Sequence, residues 1–184
     1  MIRVATSLDA AACLRIYAPI IEQTAISFEI MVPTTSEFAA RMEKIMLNYP
    51  FLVWEEDGEV LGYVYATRFR DRVAYDWICE SAIYLDERSR GKGIGKKLYL
   101  KLFDCLREMN MVSVVGGIRS GSLSAEFHRH MGFMPVGNFP FAGFKFGEWH
   151  DVEFWQLMLV EEVPAKPAPV KSFPSIADLI SLNA

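Results

Sequence analysis

Apolar residues fall into short blocks separated by Gly, Pro and acidic turns, and the period of each block predicts its element. Ile2 to Ala5 forms a first strand. Thr6, Ser7 and Asp9 offer N-caps for a helix to about Glu22, with Ala12, Ile16, Pro19 and Ile20 near one face. Pro19 predicts an early break or kink, because it removes a backbone donor. Ser27 to Val32 is a loop or a short extended piece. Thr34 followed by Glu37 has the form of a capping box for a second helix to about Asn48. Phe51 to Glu56 and Val60 to Arg68 are strands joined at Asp57-Gly58, a strong hairpin turn.

Tyr75 to Leu85 predicts the next strand. A glycine-containing stretch then opens a helix to about Met109, in which Leu98, Leu102, Cys105 and Leu106 recur at helical spacing. Ser113 to Ile118 is a buried-type strand. Ser122 or Ser124 starts a short helix that ends near Gly132. Phe133 to Gly137 and Val152 to Val160 complete the strands. The order is β-α-α-β-β-β-α-β-α-β-β, an antiparallel meander followed by a β-α-β unit, so the fold is α/β with a sheet of mixed direction. Past Val160 the composition changes. Pro164, Pro167 and Pro169 mark a tail over 161–184, outside the domain at 1–160, with a short helix predicted at Ser175 to Leu182.

A chain of 184 residues that is 52% hydrophobic can fill one core of ordinary size. The formal charge of −4 removes the basic stripe a general nucleic-acid binder needs. No apolar run reaches the roughly 20 residues of a membrane helix. Met1-Ile2-Arg3-Val4 leads straight into polar and acidic residues without a signal-peptide core, so a cytoplasmic location is expected. Cys13, Cys79 and Cys105 are far apart, with no C-x-x-C pair. Reduced thiols and no metal site are the expectation.

The chemistry concentrates at Arg90-Gly91-Lys92-Gly93-Ile94-Gly95-Lys96, between a strand and a helix. Glycines let backbone N–H groups approach an anion, the helix N-terminus adds partial positive charge, and Arg90, Lys92 and Lys96 add full charges. An ordinary strand–helix turn also favours glycine. A P-loop requires Ser or Thr after Gly-Lys, which is absent, and a dinucleotide fingerprint requires G-x-G-x-x-G after an early strand, where this stretch reads G-x-G-x-G in mid-chain.

The spacing that fits is Gln/Arg-x-x-Gly-x-Gly/Ala, filled by Arg90, Gly93 and Gly95. It resembles the acetyl-CoA motif of the GNAT superfamily. Tyr75-Asp76-Trp77, Glu80-Ser81, Ile83-Tyr84-Leu85, His128, Gly132-Phe133 and Lys145-Phe146-Gly147-Glu148-Trp149-His150-Asp151 extend the likeness to the phosphinothricin and methionine sulfoximine/sulfone N-acetyltransferases. It covers about residues 2 to 160. The resemblance implies a GNAT fold, acetyl-CoA as co-substrate and a homodimer. It implies that Ile83, Tyr84 and Leu85 pair with the pantetheine arm, with Ile83 N–H polarising the thioester. One departure stands out. The family carries Asn three residues before the Ser of an N-x-x-S motif, and here Ser124 has Gly121 at that place; Ser120 or Ser122 is left to substitute.

Glu80 lies in the apolar run Trp77-Ile78-Cys79-Glu80-Ser81-Ala82-Ile83. Apolar neighbours raise a carboxylate pKa, which suits a general base; an outward, solvated glutamate is the alternative. By resemblance, His128 stands where many GNAT members place a tyrosine that protonates the leaving thiolate, and His130 lies near CoA on the same helix; a surface position is the alternative for each. Arg70 and Arg72, just before Tyr75, offer guanidinium groups for an acceptor carboxylate. Phe28 and Glu29 belong to a segment that covers the acceptor pocket in relatives, and Tyr75, Glu80 and Ser81 complete the expected acceptor wall. Trp149 is expected in the core or at a dimer interface. The expected activity is acetyl transfer from acetyl-CoA to the amine of a small amino-acid-like acceptor. Acetylation of a protein N-terminus or lysine, and a non-catalytic CoA-binding module, are the alternatives.

Overall fold

The computed structural model describes residues 1–179. Seven strands, β1 (Ile2–Val4), β2 (Phe51–Glu56), β3 (Glu59–Arg68), β4 (Ile78–Leu85), β5 (Ser113–Arg119), β6 (Met134–Lys145) and β7 (Glu148–Met158), form one sheet in the order β1-β2-β3-β4-β5-β7-β6. All neighbours are antiparallel except β4 and β5. The helices are α1 (Ala10–Gln23), α2 (Thr35–Met46), α3 (Ile94–Glu108) and α4 (Leu123–His130). This is the element order read from the sequence.

Two cores flank the sheet. Alternate residues of β3, Tyr63 among them, face α1 and α2 and pack with Ile16, Tyr17, Phe38 and Met42. The opposite face, with Val64 and Ala66, packs under α3 through Leu98, Tyr99, Leu102 and Leu106. The cap of α2 is as expected: Thr34 Oγ1 accepts from Glu37 N–H while the Glu37 carboxylate accepts from Thr34 N–H. Asp57 and Gly58 turn β2 into β3 with φ of 52° and 78°.

Four expectations are corrected. Helix α1 runs unbroken through Pro19, because its buried face of Ile16, Tyr17, Ile20 and Ile21 outweighs one lost hydrogen bond. Tyr75 is not in a strand. It closes a tight turn, Val73–Tyr75, and β4 starts only at Ile78. The two short late strands are one long hairpin that turns at Phe146-Gly147 with φ of 55° and 79°. Pro135, Gly137, Pro140 and Gly143 hide it in the sequence, and shifts of register at Pro135/Gly137 and Phe139/Gly143 absorb them. In the tail, tight turns at Phe173–Ser175 and Ala177–Leu179 stand where the start of a helix was expected; its remainder lies outside the described residues.

The tail is also docked. Phe173 and Ile176 are buried against the α3-side core. Trp77 Nε1 donates to Ala168 O at 2.7 Å and Asn110 Nδ2 to Pro169 O at 2.8 Å. Cys13, Cys79 and Cys105 are buried and unpaired.

Candidate active site

Strands β4 and β5 part company. They pair in parallel only at Ile78 with Ser113, Cys79 with Val114 and Glu80 with Val115. Beyond Glu80, β4 keeps its partner β3 through Leu85, and β5 keeps β7 through Arg119, but the two no longer pair with each other. The sheet therefore opens as a wedge whose closed end is Glu80, and its edges present strand backbone with no neighbour across the gap.

The glycine stretch sits at the mouth of this wedge. Gly91 and Gly93 both take φ of 76°, and Gly93 is the N-cap of α3 without a side-chain cap, so the first amides of the helix point outward unengaged. A Cβ at Gly91 or Gly93 would meet nothing within 4 Å in the protein itself. Gly95 differs: a Cβ there would stand 3.1 Å from Phe127 Cζ and 3.2 Å from Leu85 Cδ1, so it is the glycine that lets α3 close onto the sheet. Lys92 and Lys96 are exposed beside the loop.

A cavity of about 590 Å³ follows the wedge, lined among others by Ile83, Tyr84, Leu85, Arg90, Gly121 and Ser124. Six of the residues expected to hold a co-substrate thus line one cavity. The sequence reading missed the part of the lining that the chain after α1 contributes, Thr24, Ala25 and Ile26. This wall of apolar residues, ending in uncapped amides and an arginine, fits a long amide-bearing chain that carries phosphates at one end.

Glu80 projects to the face of α1 and α2, as does its cross-strand partner Thr67. A Cβ at Gly117 would lie 3.5 Å from Glu80 Oε1 and 3.7 Å from the Phe154 ring. The bare glycine therefore leaves the carboxylate room. Burial raises the Glu80 pKa, and no ion pair among the described residues opposes this. The adjacent Gly116-Gly117 in β5 was the sequence signal for this space.

Ser81 and His128 meet at the hydroxyl of Tyr99. Ser81 points to the other face, buried, with Oγ 3.3 Å from Tyr99 Oη. His128 is 4% exposed and stands in the packed interior rather than on the cavity wall. Its Nδ1 is 2.7 Å from Ser124 O and its Nε2 is 2.8 Å from Tyr99 Oη. Burial lowers its pKa. His130 is exposed on α4 with Nδ1 2.8 Å from Glu126 O, away from the cavity wall.

On the acceptor side, Glu29 is committed to an ion pair with Arg41 at 2.6 Å and accepts from Tyr17 Oη at 3.1 Å. Phe28 lies over Gly143, where a Cβ would be 2.3 Å from its ring, and stacks on His150. Buried Lys145 holds this segment in place by donating to Ile21 O and Ser27 O at 2.6 and 2.7 Å. Asp151 Oδ1 accepts from Phe141 N–H at 2.8 Å, where Phe141 has φ of 53° at the bulge in β6. The conspicuous Lys-Phe-Gly-x-Trp-x-Asp pattern is thus a clamp, a turn and a bulge lock. Arg70 lies over the Phe69 ring at 5.0 Å, and Tyr75 packs edge-on against Phe69. Arg72 is exposed and carries no ion pair or side-chain hydrogen bond among the described residues. An ion pair between Arg68 and Asp76 spans the base of this loop.

A sheet split between parallel strands, with a glycine loop at its mouth and a half-buried carboxylate at its apex, is the architecture of an acyl-CoA-dependent transferase. The acetyltransferase (GNAT) domain model matches residues 2–154, and the chain belongs to this family. It is 37% identical to a phosphinothricin N-acetyltransferase of Streptomyces viridochromogenes over 92% of both chains. An L-methionine sulfoximine/L-methionine sulfone acetyltransferase of Salmonella typhimurium is 35% identical over 87% of this chain and 95% of the relative. The crystal structure of a GNAT superfamily phosphinothricin acetyltransferase from Sinorhizobium meliloti in complex with AcCoA superposes with a TM-score of 0.86 at 34% identity, covering 91% and 92% of the two chains.

Proposed function

We propose that this acetyltransferase moves the acetyl group of acetyl-CoA to the amino group of a small amino-acid-like acceptor of the phosphinothricin, methionine sulfoximine or methionine sulfone type. The single observation that carries the reading is Glu80, a half-buried carboxylate with no ion pair among the described residues, at the closed end of a wedge whose open end is the glycine loop at the head of α3.

Acetyl-CoA supplies the activated acyl group. Glu80 takes the proton of the acceptor amine, directly or through one water; the nitrogen attacks the thioester carbon, whose carbonyl Ile83 N–H polarises, and the C–S bond breaks to release CoA as the thiolate. Arg90, Lys92, Lys96 and the amides of Ile94 and Gly95 hold the phosphates. Arg72 receives the acceptor carboxylate, with Arg70 in reserve. Phe28 shields the methylene chain. The exposed aromatic side of the β6–β7 hairpin joins two copies of the chain.

The test is an acceptor screen that follows free-thiol release from acetyl-CoA across L-methionine sulfone, methionine sulfoximine, phosphinothricin and the common amino acids. Fast release with at least one of the three analogues is expected. Release with none of the amino acids, but with peptide N-termini, would overturn the acceptor class.

A further inference from the structure

Three serines cluster where β5 passes into α4, and only one of them is idle. Ser120 Oγ donates to Glu153 Oε1 at 2.6 Å. Ser124 Oγ stands 3.3 Å from His128 Nδ1. Ser122 is the N-cap of α4, yet its side chain makes no capping bond, and its buried Oγ has no hydrogen-bond partner. A buried hydroxyl without a partner is unfavourable, and folded proteins keep few of them. An N-cap serine ordinarily satisfies a helix amide. Here the hydroxyl forgoes that bond while its residue lines the 590 Å³ cavity with Gly121, Leu123 and Ser124. The neighbour Gly121 brings no side chain of its own. Ile83, Leu85, Leu123 and Phe127 give the lining apolar stretches beside the polar side chains of Thr24, Arg90, Arg119 and Ser124, and of these cavity serines only Ser122 has a hydroxyl with no bond to give up.

We infer that Ser122 Oγ hydrogen-bonds an amide of the pantetheine arm of acetyl-CoA, supplying the side-chain contact that Gly121 cannot. The hydroxyl is covered as it stands, so contact with a ligand requires a turn of χ1 to another staggered rotamer; it can then donate or accept, so either amide atom is a suitable partner. The inference rests on reading the wedge as the acetyl-CoA site. Binding of acetyl-CoA by the unaltered protein tests that reading separately.

The experiment measures the Kd of acetyl-CoA by calorimetry without an acceptor, and the melting temperature without ligand. Ser122→Ala should weaken binding about five- to tenfold, the worth of one hydrogen bond. Its ligand-free melting temperature should be unchanged or higher, because no bond within the protein is lost. Ser122→Cys, close in size and a weak donor, should fall between. Gly121 has φ of 72° and open space around its Cβ position, and asparagine accepts that conformation. Gly121→Asn placed in Ser122→Ala should therefore recover affinity by offering an amide on the same wall. An unchanged Kd in Ser122→Ala overturns the inference. So does a fall of several degrees in its ligand-free melting temperature, which would show the hydroxyl serving the fold.

Discussion

Tyr99 donates its hydroxyl hydrogen to His128 across 2.8 Å, and the direction follows from the other ring nitrogen. Nδ1 lies 2.7 Å from the carbonyl of Ser124, which only accepts, so Nδ1 carries the hydrogen and Nε2 is left as a lone pair. With the Tyr99 hydrogen given to His128, Ser81 Oγ is the donor to Tyr99 Oη at 3.3 Å, sharing its one hydrogen with Val115 O at 3.4 Å. A buried polar chain thus ties β4, next to Glu80, through α3 to α4 at the cavity wall.

Tyr99→Phe leaves Nε2 unpaired in the interior and should lower stability by roughly 1–3 kcal/mol in urea unfolding. The pH dependence has a definite sign. Burial lowers the folded pKa of His128 below its ordinary 6.5, so the unfolded chain takes up the proton first. Stability should fall as pH drops through 6.5 towards the folded value. His128→Gln should flatten that fall.

Glu80 shows the opposite linkage. Burial raises its folded pKa above the ordinary 4.5, so the native state holds the proton longer than the unfolded chain. Stability from this group is full below 4.5 and is lost as pH rises through the folded value. Glu80→Gln should therefore raise the melting temperature at neutral pH and match the parent in acid. Its kcat should drop about 10²- to 10⁴-fold at neutral pH, with partial recovery in alkali as free amine accumulates. A fully active variant would assign the proton to another group.

The glycines of the cradle should separate binding from folding. A Cβ at Gly93 meets only open space but is strained at φ of 76°, so Gly93→Val should fold with a loss of about 1–2 kcal/mol. Its side chain would stand in the phosphate path, so acetyl-CoA should no longer raise its melting temperature. Gly95→Ala crowds Phe127 and Leu85 and should lose stability even without ligand.

Local chemistry was what made much of this legible in advance. The α2 cap, the Asp57-Gly58 turn and the glycine loop that opens α3 each depend on a few adjacent residues, and each stood where the sequence placed it. What escaped depends on residues far apart in the chain. The long hairpin contains Pro135 and Pro140, tolerable because β6 is an edge strand with bulges. The facing of Ser81, adjacent to Glu80 but on the opposite side, follows from strand alternation once the register of β3 and β4 is known. The burial of His128 depends on Tyr99, whose helical position reads equally well as plain core.

Phe139, Phe141, Phe144, Phe146 and Trp149 are each more than half exposed on the β6–β7 hairpin, so Trp149 is not in the core of the single chain. Phe144 packs on Trp149 at 5.3 Å, so the aromatics form a patch rather than scattered residues. The chain should be a dimer by light scattering at micromolar concentration. Replacing Phe144 and Trp149 with Asp should give a folded monomer. A monomeric parent would defeat the assignment.

Arg72 is the sharpest test of acceptor recognition. An acceptor of the proposed class carries a carboxylate next to the amine, so fixing one fixes the other, and orientation of this kind lowers the barrier by several kcal/mol. The loop before β4 is held at three places, by the Arg68–Asp76 pair, by Tyr75 on Phe69 and by Trp77 on Ala168 O. Within it, Arg70 is spent on the Phe69 ring, whereas the guanidinium of Arg72 has no partner among the described residues. An unpaired cation on a pinned loop loses little entropy on engaging a carboxylate. Arg72→Ala should raise KM for the acceptor about 10- to 100-fold, the worth of a charge-assisted hydrogen bond, and leave KM for acetyl-CoA nearly unchanged. It should also erase the preference for the free acid over its amide. If the variant distinguishes acid from amide as well as the parent does, the anchor is another residue. Arg70→Ala, measured the same way, then decides whether the reserve guanidinium holds that place.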